Sequence, residues 1–241
     1  MPSEYSRCRV STRAGGSDGR TGHGLEEIIV ESERADGVPK SPYLWNHHMT
    51  DMLDRAATTD APILDVLASR WSTRVFDAEA PIDEAALASA LEAARWAPSA
   101  NNSQPWRFIV ARRGTPEHAA ILETLMGFNQ AWAGAASALV VFAAVTSHDG
   151  TPLAWAAYDT GQAAAHFTVQ AHAAGLHTHQ MGGFDRDALA TAFDLGPDLA
   201  PVTVMAVGTL GDIASAPEPL RERENAPRVR LPLTELLAAD A

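Results

Sequence analysis

The chain has almost none of two residue types that carry much protein chemistry. Its 241 residues include one cysteine, Cys8. That excludes an internal disulfide, a CxxC redox pair and a thiolate zinc cluster, and it suits a cytoplasmic location. Lysine is equally scarce: Lys40 stands alone, so 17 of the 18 basic residues are arginines. Its setting, Gly37-Val38-Pro39-Lys40-Ser41, lacks the glycine spacing of a phosphate-cradling P-loop, and a Schiff-base mechanism would have only this residue to use. Also missing are a GxSxG elbow, an HExxH pair and a GxGxxG between strand and helix, so hydrolase, zincin and Rossmann readings have no anchor. The longest apolar stretch, Ala131 to Val145, falls short of the ~18 residues of a membrane span and reads as buried core. Residues 1–20 carry Arg7, Arg9, Arg13 and Arg20 without an apolar h-region, so no secretory signal is expected.

What is present is 46% hydrophobic and 20% charged, with a formal net charge of −12. Such a chain folds as a globular domain and repels nucleic acid and anionic membrane overall. Residues 1–57 lack apolar periodicity and include a glycine-rich run at 14–24. They are read as a flexible tail, non-native if Met49 or Met52 is the true start, or an arm that uses Leu25 to Val30. Residues 58–241 form the folded domain. Asp60, Pro62 and the apolar set Ile63, Leu64 and Leu67 suggest a short first helix with proline in its first turn. Asp83 is the expected N-cap of a helix through Arg95, stapled by Ile82 and Leu87. Strands are expected at Trp106–Arg112, Ala138–Val145 and Pro201–Gly208. Helices are expected from Thr115 to about Met126, from Thr151 to Ala174 ending at Gly175, and from Asp185 to Phe193, and an arginine-containing segment leads into Leu233–Leu237.

Four segments carry chemistry. Arg70-Trp71-Ser72-Thr73-Arg74 offers two guanidinium forks and a hydroxyl to one anion. Pro98-Ser99-Ala100-Asn101-Asn102-Ser103-Gln104-Pro105 is a polar helix-to-strand loop whose amides and hydroxyls can read the edge of a heterocycle. Gln180-Met181-Gly182-Gly183 lets backbone N–H groups approach a flat ligand. Arg228-Val229-Arg230 puts two arginines on the same side of an extended segment, where they can clamp a phosphate.

The order and spacing of these segments resemble the FMN-dependent nitroreductase family, from about Pro62 to the chain end. The resemblance implies an α+β fold: a nitroreductase-like three-layer sandwich with a central, mainly antiparallel sheet flanked by helices. It also implies a homodimer with FMN at each subunit interface. By the same resemblance Arg70, Trp71, Ser72 and Arg74 would meet the FMN phosphate and ribityl chain, and Arg228 and Arg230 would complete the phosphate clamp. Pro98, Ser99 and Asn102 would line the flavin from the partner subunit, while Gln104 would support the loop or the ribityl chain. Met181, Gly182 and Gly183 would present backbone N–H groups to the flavin N5 and O4 edge. The implied activity is hydride transfer from NADH or NADPH through FMN N5 to a nitroaromatic, quinone or related small-molecule acceptor, with ping-pong kinetics. The alternative on the same fold is a reductive dehalogenase, a flavin-fragmenting enzyme or a non-catalytic flavin binder.

The residues agree with that reading. A flavin phosphate carries about −2, and an acidic protein must concentrate its few cations to hold one. The flavin supplies the redox chemistry, which accounts for the missing nucleophile and acid–base dyad. Trp71 stands where relatives often have a basic or small polar residue. Phe128, Trp132, Trp155 and Tyr158 are candidates for the acceptor cavity. His177 and His179 share one strand face, but with no cysteine or fixed carboxylate beside them no metal site is expected.

Overall fold

An eight-residue apolar run has no polar face to give to water, so the strand it forms must be covered on both sides. In the computed structural model, which describes residues 55–239, that run is β2, Ala138–Val145. It lies between β1 (Trp106–Arg112) and β6 (Leu199–Gly208), and β5 (His177–Met181) completes the order β1-β2-β6-β5, antiparallel at every step. The helices are α1 (Asp65–Ser69), α2 (Glu84–Arg95), α3 (Pro116–Thr124), α4 (Gln130–Ala133), α5 (Ala156–Ala173), α6 (Arg186–Ala192), α7 (Glu218–Asn225) and α8 (Leu233–Leu236). Val140, Phe142, Met205 and Val207 pack against Leu87, Ala90, Ala163 and Phe167 of α2 and α5. From the other face Leu139, Val141, Val204 and Ala206 pack against Ile121, Trp132 and Leu189 of α3, α4 and α6. Covering both faces removes the usual apolar–polar alternation of antiparallel strands and makes the three-layer α+β sandwich that the resemblance implies.

Local chemistry sets the helix ends. Asp83 caps α2 by accepting from the N–H groups of Ala85 and Ala86. Gly175, at φ +85, ends α5; its N–H donates to His172 O and that of Leu176 to Ala171 O, the paired bonds of a Schellman motif. Three expected boundaries are corrected. The first helix begins at Asp65 rather than around Pro62, with Leu64 in extended backbone as its N-cap. The third helix stops at Thr124, because Leu125 pairs with Phe184 and Met126 N–H donates to Gly183 O. The long helix expected from Thr151 begins only at Ala156. Residues 147–152 instead form a hairpin of β3 (Ser147–His148) and β4 (Thr151–Pro152), turning through Asp149 and Gly150 at φ +48 and +75. Asp-Gly is a strong hairpin signal, and here it outweighs the helix-favouring alanines that follow.

The expected tail lies outside the described residues up to residue 54. Residues 55–57 are tied to the domain: Ala57 N–H donates to Ala68 O, and Arg55 O accepts from Arg228.

Candidate functional site

α1 ends at Ser69, and the chain runs on in extended form past the edge strand β5, where Thr73 O meets His179 Nδ1 at 2.8 Å. That docking brings Arg70, Ser72 and Arg74 beside α7 and the segment after it. The result is a cleft of about 230 Å³ lined by Arg55, Arg70, Arg74, Arg223, Arg228 and Arg230, with Glu224 the one carboxylate in its lining among the described residues. Trp71 and Ser72 also line it. Burial holds the Arg70 guanidinium below its ordinary pKa, and the charges of Arg228 and Arg230 push it the same way. Arg228 is lowered by burial and then by Arg230 and Arg55. Arg74 is lowered by burial and Arg223, against the opposing pull of Glu224. Cations crowded until they repel one another form a site built for an anion.

The individual arginines differ. Arg228 donates to Arg55 O (2.6 Å), Ala68 O (2.7 Å) and Arg70 O (2.8 Å). Three of its N–H groups are thus committed to backbone, and two of an arginine's five remain. Arg70 reaches Ser72 Oγ at 3.2 Å. Arg230 is exposed and donates to its neighbour Val229 O, at 2.8 Å. Arg74 Nε is buried and has no hydrogen-bond acceptor among the described residues.

Sequence reasoning missed Glu224. It sits on α7, and only 2% of its surface is exposed. Its Oε2 accepts from Trp71 Nε1 (2.9 Å) and Thr73 Oγ1 (3.1 Å), and its Oε1 accepts from Arg74 N–H (2.7 Å). One carboxylate thereby fixes the extended 71–74 segment. α7 gives little warning in sequence: Glu-Pro-Leu-Arg-Glu-Arg-Glu-Asn contains a single core-type residue and reads as a solvated run. Trp71, expected at the ligand, is largely an internal strut, its ring edge-on to His177 at 5.2 Å and its indole N–H held by Glu224.

The other expected ligands lie elsewhere. Pro98, Ser99, Asn102 and Gln104 sit in the loop between α2 and β1, where Asn102 and Gln104 are exposed. Asn101, Asn102 and Gln104 adopt φ of +52, +55 and +46. Asparagine tolerates this region, but glutamine there is a strained choice of the kind that gathers at functional sites. The loop is held from inside by Ser99 Oγ, which accepts from Gln104 N–H (3.0 Å), and from beneath by buried Asp159, which accepts from Ala100 N–H (3.0 Å). Gly182 follows β5; a side chain there would meet nothing within 4 Å, whereas one at Gly183 would press on Asn129 Nδ2. Met181 turns its side chain into the core, so only its backbone is left for a ligand. Gly182 lies three residues past His179, about 10 Å along extended chain. The glycine edge thus follows the strand against which the 70–74 segment docks.

The expected cavity aromatics divide. Trp132 is core, packed on Phe76 and on His179 at 4.6 Å. Phe128, Trp155 and Tyr158 are exposed, with Arg223 over the Phe128 ring. His177 and His179 do share a strand face and are buried. Burial pushes the pKa of His179 down, and that of His172 to about 4 with help from Arg70. Among the described residues no group of three His, Cys, Asp or Glu side chains is placed to hold a metal ion, and no helix is long and apolar enough to cross a membrane.

Comparison with known proteins gives the following. The model of the nitroreductase family matches residues 67–131 and 115–209, together more than half of the chain. The chain is 39% identical over 137 residues to an uncharacterised 15.4 kDa protein in the ask 5' region of Mycolicibacterium smegmatis, covering 54% of this chain and 92% of that protein. It is 26% identical over 187 residues to YdgI of Bacillus subtilis (strain 168), provisionally named an NAD(P)H nitroreductase, covering 62% and 88%. Among solved structures, one described as an oxidoreductase containing FMN superposes with a TM-score of 0.70 at 36% identity, covering 75% of this chain and 92% of that one.

Proposed function

The chain belongs to the nitroreductase family, and on that footing we propose that it is an FMN-dependent oxidoreductase that moves hydride from NADH or NADPH to an organic acceptor. The observation that carries the reading is the arginine cleft, with the buried, unbonded Nε of Arg74 in its lining. An orphaned buried guanidinium N–H is costly unless an acceptor fills its bond, and a phosphate monoester brings three strong acceptor oxygens and charge near −2. The residues present fit that group.

Arg70, Ser72, Arg74 and Arg230 hold the phosphate, and Arg228 adds charge while fixing the backbone around them. Gly182 and Gly183 offer backbone N–H groups to the polar ring edge, with Met181 packed behind. Pro98, Ser99, Asn102 and Gln104 cover the ring of a second copy of the chain, which explains why so polar and rigid a loop stands exposed in one copy. Exposed Trp155, Tyr158, Leu231, Leu233 and Leu236 supply apolar surface for that homodimer. When bound, FMN supplies the redox chemistry, taking a hydride from the nicotinamide donor and passing it to a quinone, nitroarene or related acceptor in ping-pong order.

The test is steady-state NADH and NADPH consumption by the FMN-loaded protein with a quinone and with a nitroarene, alongside its mass in solution. Turnover with parallel double-reciprocal lines and a dimer mass is the expected result. Tight flavin binding without turnover would favour the flavin binder or another chemistry on this fold.

A further inference from the structure

Arg55 precedes residue 67, where the match to the family model begins, yet it lines the arginine cleft. Its backbone is fixed there, because its carbonyl accepts from Arg228 and Ala57 N–H bonds Ala68 O. Its guanidinium lies 4.7 Å from the centre of the Trp71 ring, over the indole face. Nη1 stands 3.8 Å from Glu224 Oε2, beyond hydrogen-bond reach. That oxygen already accepts from Trp71 Nε1 and Thr73 Oγ1. Nη1 is therefore buried and makes no hydrogen bond among the described residues, as is Arg74 Nε in the same cleft.

These two unbonded guanidinium donors come from segments on either side of Trp71, in a cleft lined, among the described residues, by six arginines and one carboxylate. An anion with several oxygens entering this cleft is drawn by both guanidinium groups, each of which carries an unbonded donor among the described residues. We propose that Arg55 is a further phosphate-binding residue of this cleft, supplied by the stretch ahead of the family-matched region and oriented by Trp71 and Glu224. The proposal rests on the reading of the cleft as the seat of the FMN phosphate. Trp71 provides the flat surface on which a guanidinium keeps its plane, and Glu224 steadies its charge without taking the N–H groups that an anion needs. Trp71 thus becomes the platform for a cation supplied from ahead of the family-matched residues.

The experiment compares dissociation constants for FMN and for riboflavin, which lacks the phosphate, at one fixed salt concentration. The proteins are wild type, Arg55→Met, Arg55→Lys and Arg95→Met, the last removing an equal charge from an exposed pair with Glu92. Methionine keeps the length and the packing on Trp71 while removing every donor. Arg55→Met is expected to weaken FMN roughly 10- to 100-fold, the size of one charge-assisted contact, and to leave riboflavin unchanged. Arg55→Lys recovers part of the loss, and Arg95→Met loses nothing. Melting curves of the flavin-free proteins verify folding, with Arg55→Gln as the substitute should Arg55→Met fail to fold. Wild-type affinity for FMN in a folded Arg55→Met would overturn the proposal while leaving the function intact, and so would an equal loss for riboflavin. Failure of the wild type itself to bind FMN would instead sink the functional reading on which the proposal rests.

Discussion

Replacing Glu224 by glutamine separates a carboxylate that organises the cleft from one that merely opposes its charge. The carboxylate accepts from three donors, at 2.9, 3.1 and 2.7 Å, and is almost wholly buried. Glutamine has the same shape but only one acceptor oxygen. If that oxygen faces Trp71 and Thr73, the amide nitrogen confronts Arg74 N–H, donor against donor. Flipping the amide moves the conflict onto the indole N–H. One buried donor is orphaned either way, at about 1–3 kcal/mol, and the remaining bonds lose their charge assistance, so the total is about 3 kcal/mol. In a domain of this size that lowers Tm by roughly 6–12 °C. FMN affinity decides the second question. Removing a negative charge makes the cleft more positive, so a purely electrostatic view expects tighter FMN binding, whereas loss of the 71–74 frame weakens it. We expect weaker binding together with the lower Tm, read by thermal unfolding of the flavin-free protein and fluorescence titration with FMN. A Tm within about 2 °C of wild type, or tighter FMN binding, would refute the argument.

Three further outcomes are expected. The pKa of His172 lies at about 4 in the fold against an ordinary 6.5, so the unfolded chain binds the extra proton in between. Stability from this residue is therefore full above about pH 6.5 and lost as pH falls toward 4; His172→Gln should flatten urea midpoints over that window, and an unchanged slope would contradict the assignment. Arg228→Met removes three bonds to the carbonyls of Arg55, Ala68 and Arg70 and should cost about 2 kcal/mol, seen as a lower urea midpoint; an unmoved midpoint would deny its role as a pin. Asp159→Ala removes the acceptor beneath Ala100, which should make the 98–104 loop the first site of limited proteolysis; an unaltered digestion pattern would show that the loop holds itself.

Much of the fold could be read from sequence because local signals and tertiary outcome agree there. Asp83 caps α2, the apolar run becomes β2, and Gly175 stops α5. The paired arginines at 70 and 74 and at 228 and 230 were visible as anion-seeking, and the fold brings all four to one cleft. Glu224 and Arg55 were not visible, for a common reason. Each lies in a stretch with hardly any apolar periodicity, and its importance arises only when residues far apart in the chain close around Trp71. A buried charge has no local signature; its partners define it. The hairpin at 147–152 is a different case: its Asp149-Gly150 signal is local, and in the fold it prevails over the helix-favouring alanines after it.

The most direct test of the account is the visible absorption spectrum of the purified protein after addition of FMN and removal of the excess, followed by anaerobic addition of NADH or NADPH. The account predicts flavin absorbance that stays with the protein and is bleached by at least one of the two nucleotides. Flavin that washes away would contradict the assignment of Arg70, Arg74 and Arg230 as its phosphate ligands. Flavin that stays but that neither nucleotide bleaches would contradict the proposed hydride transfer.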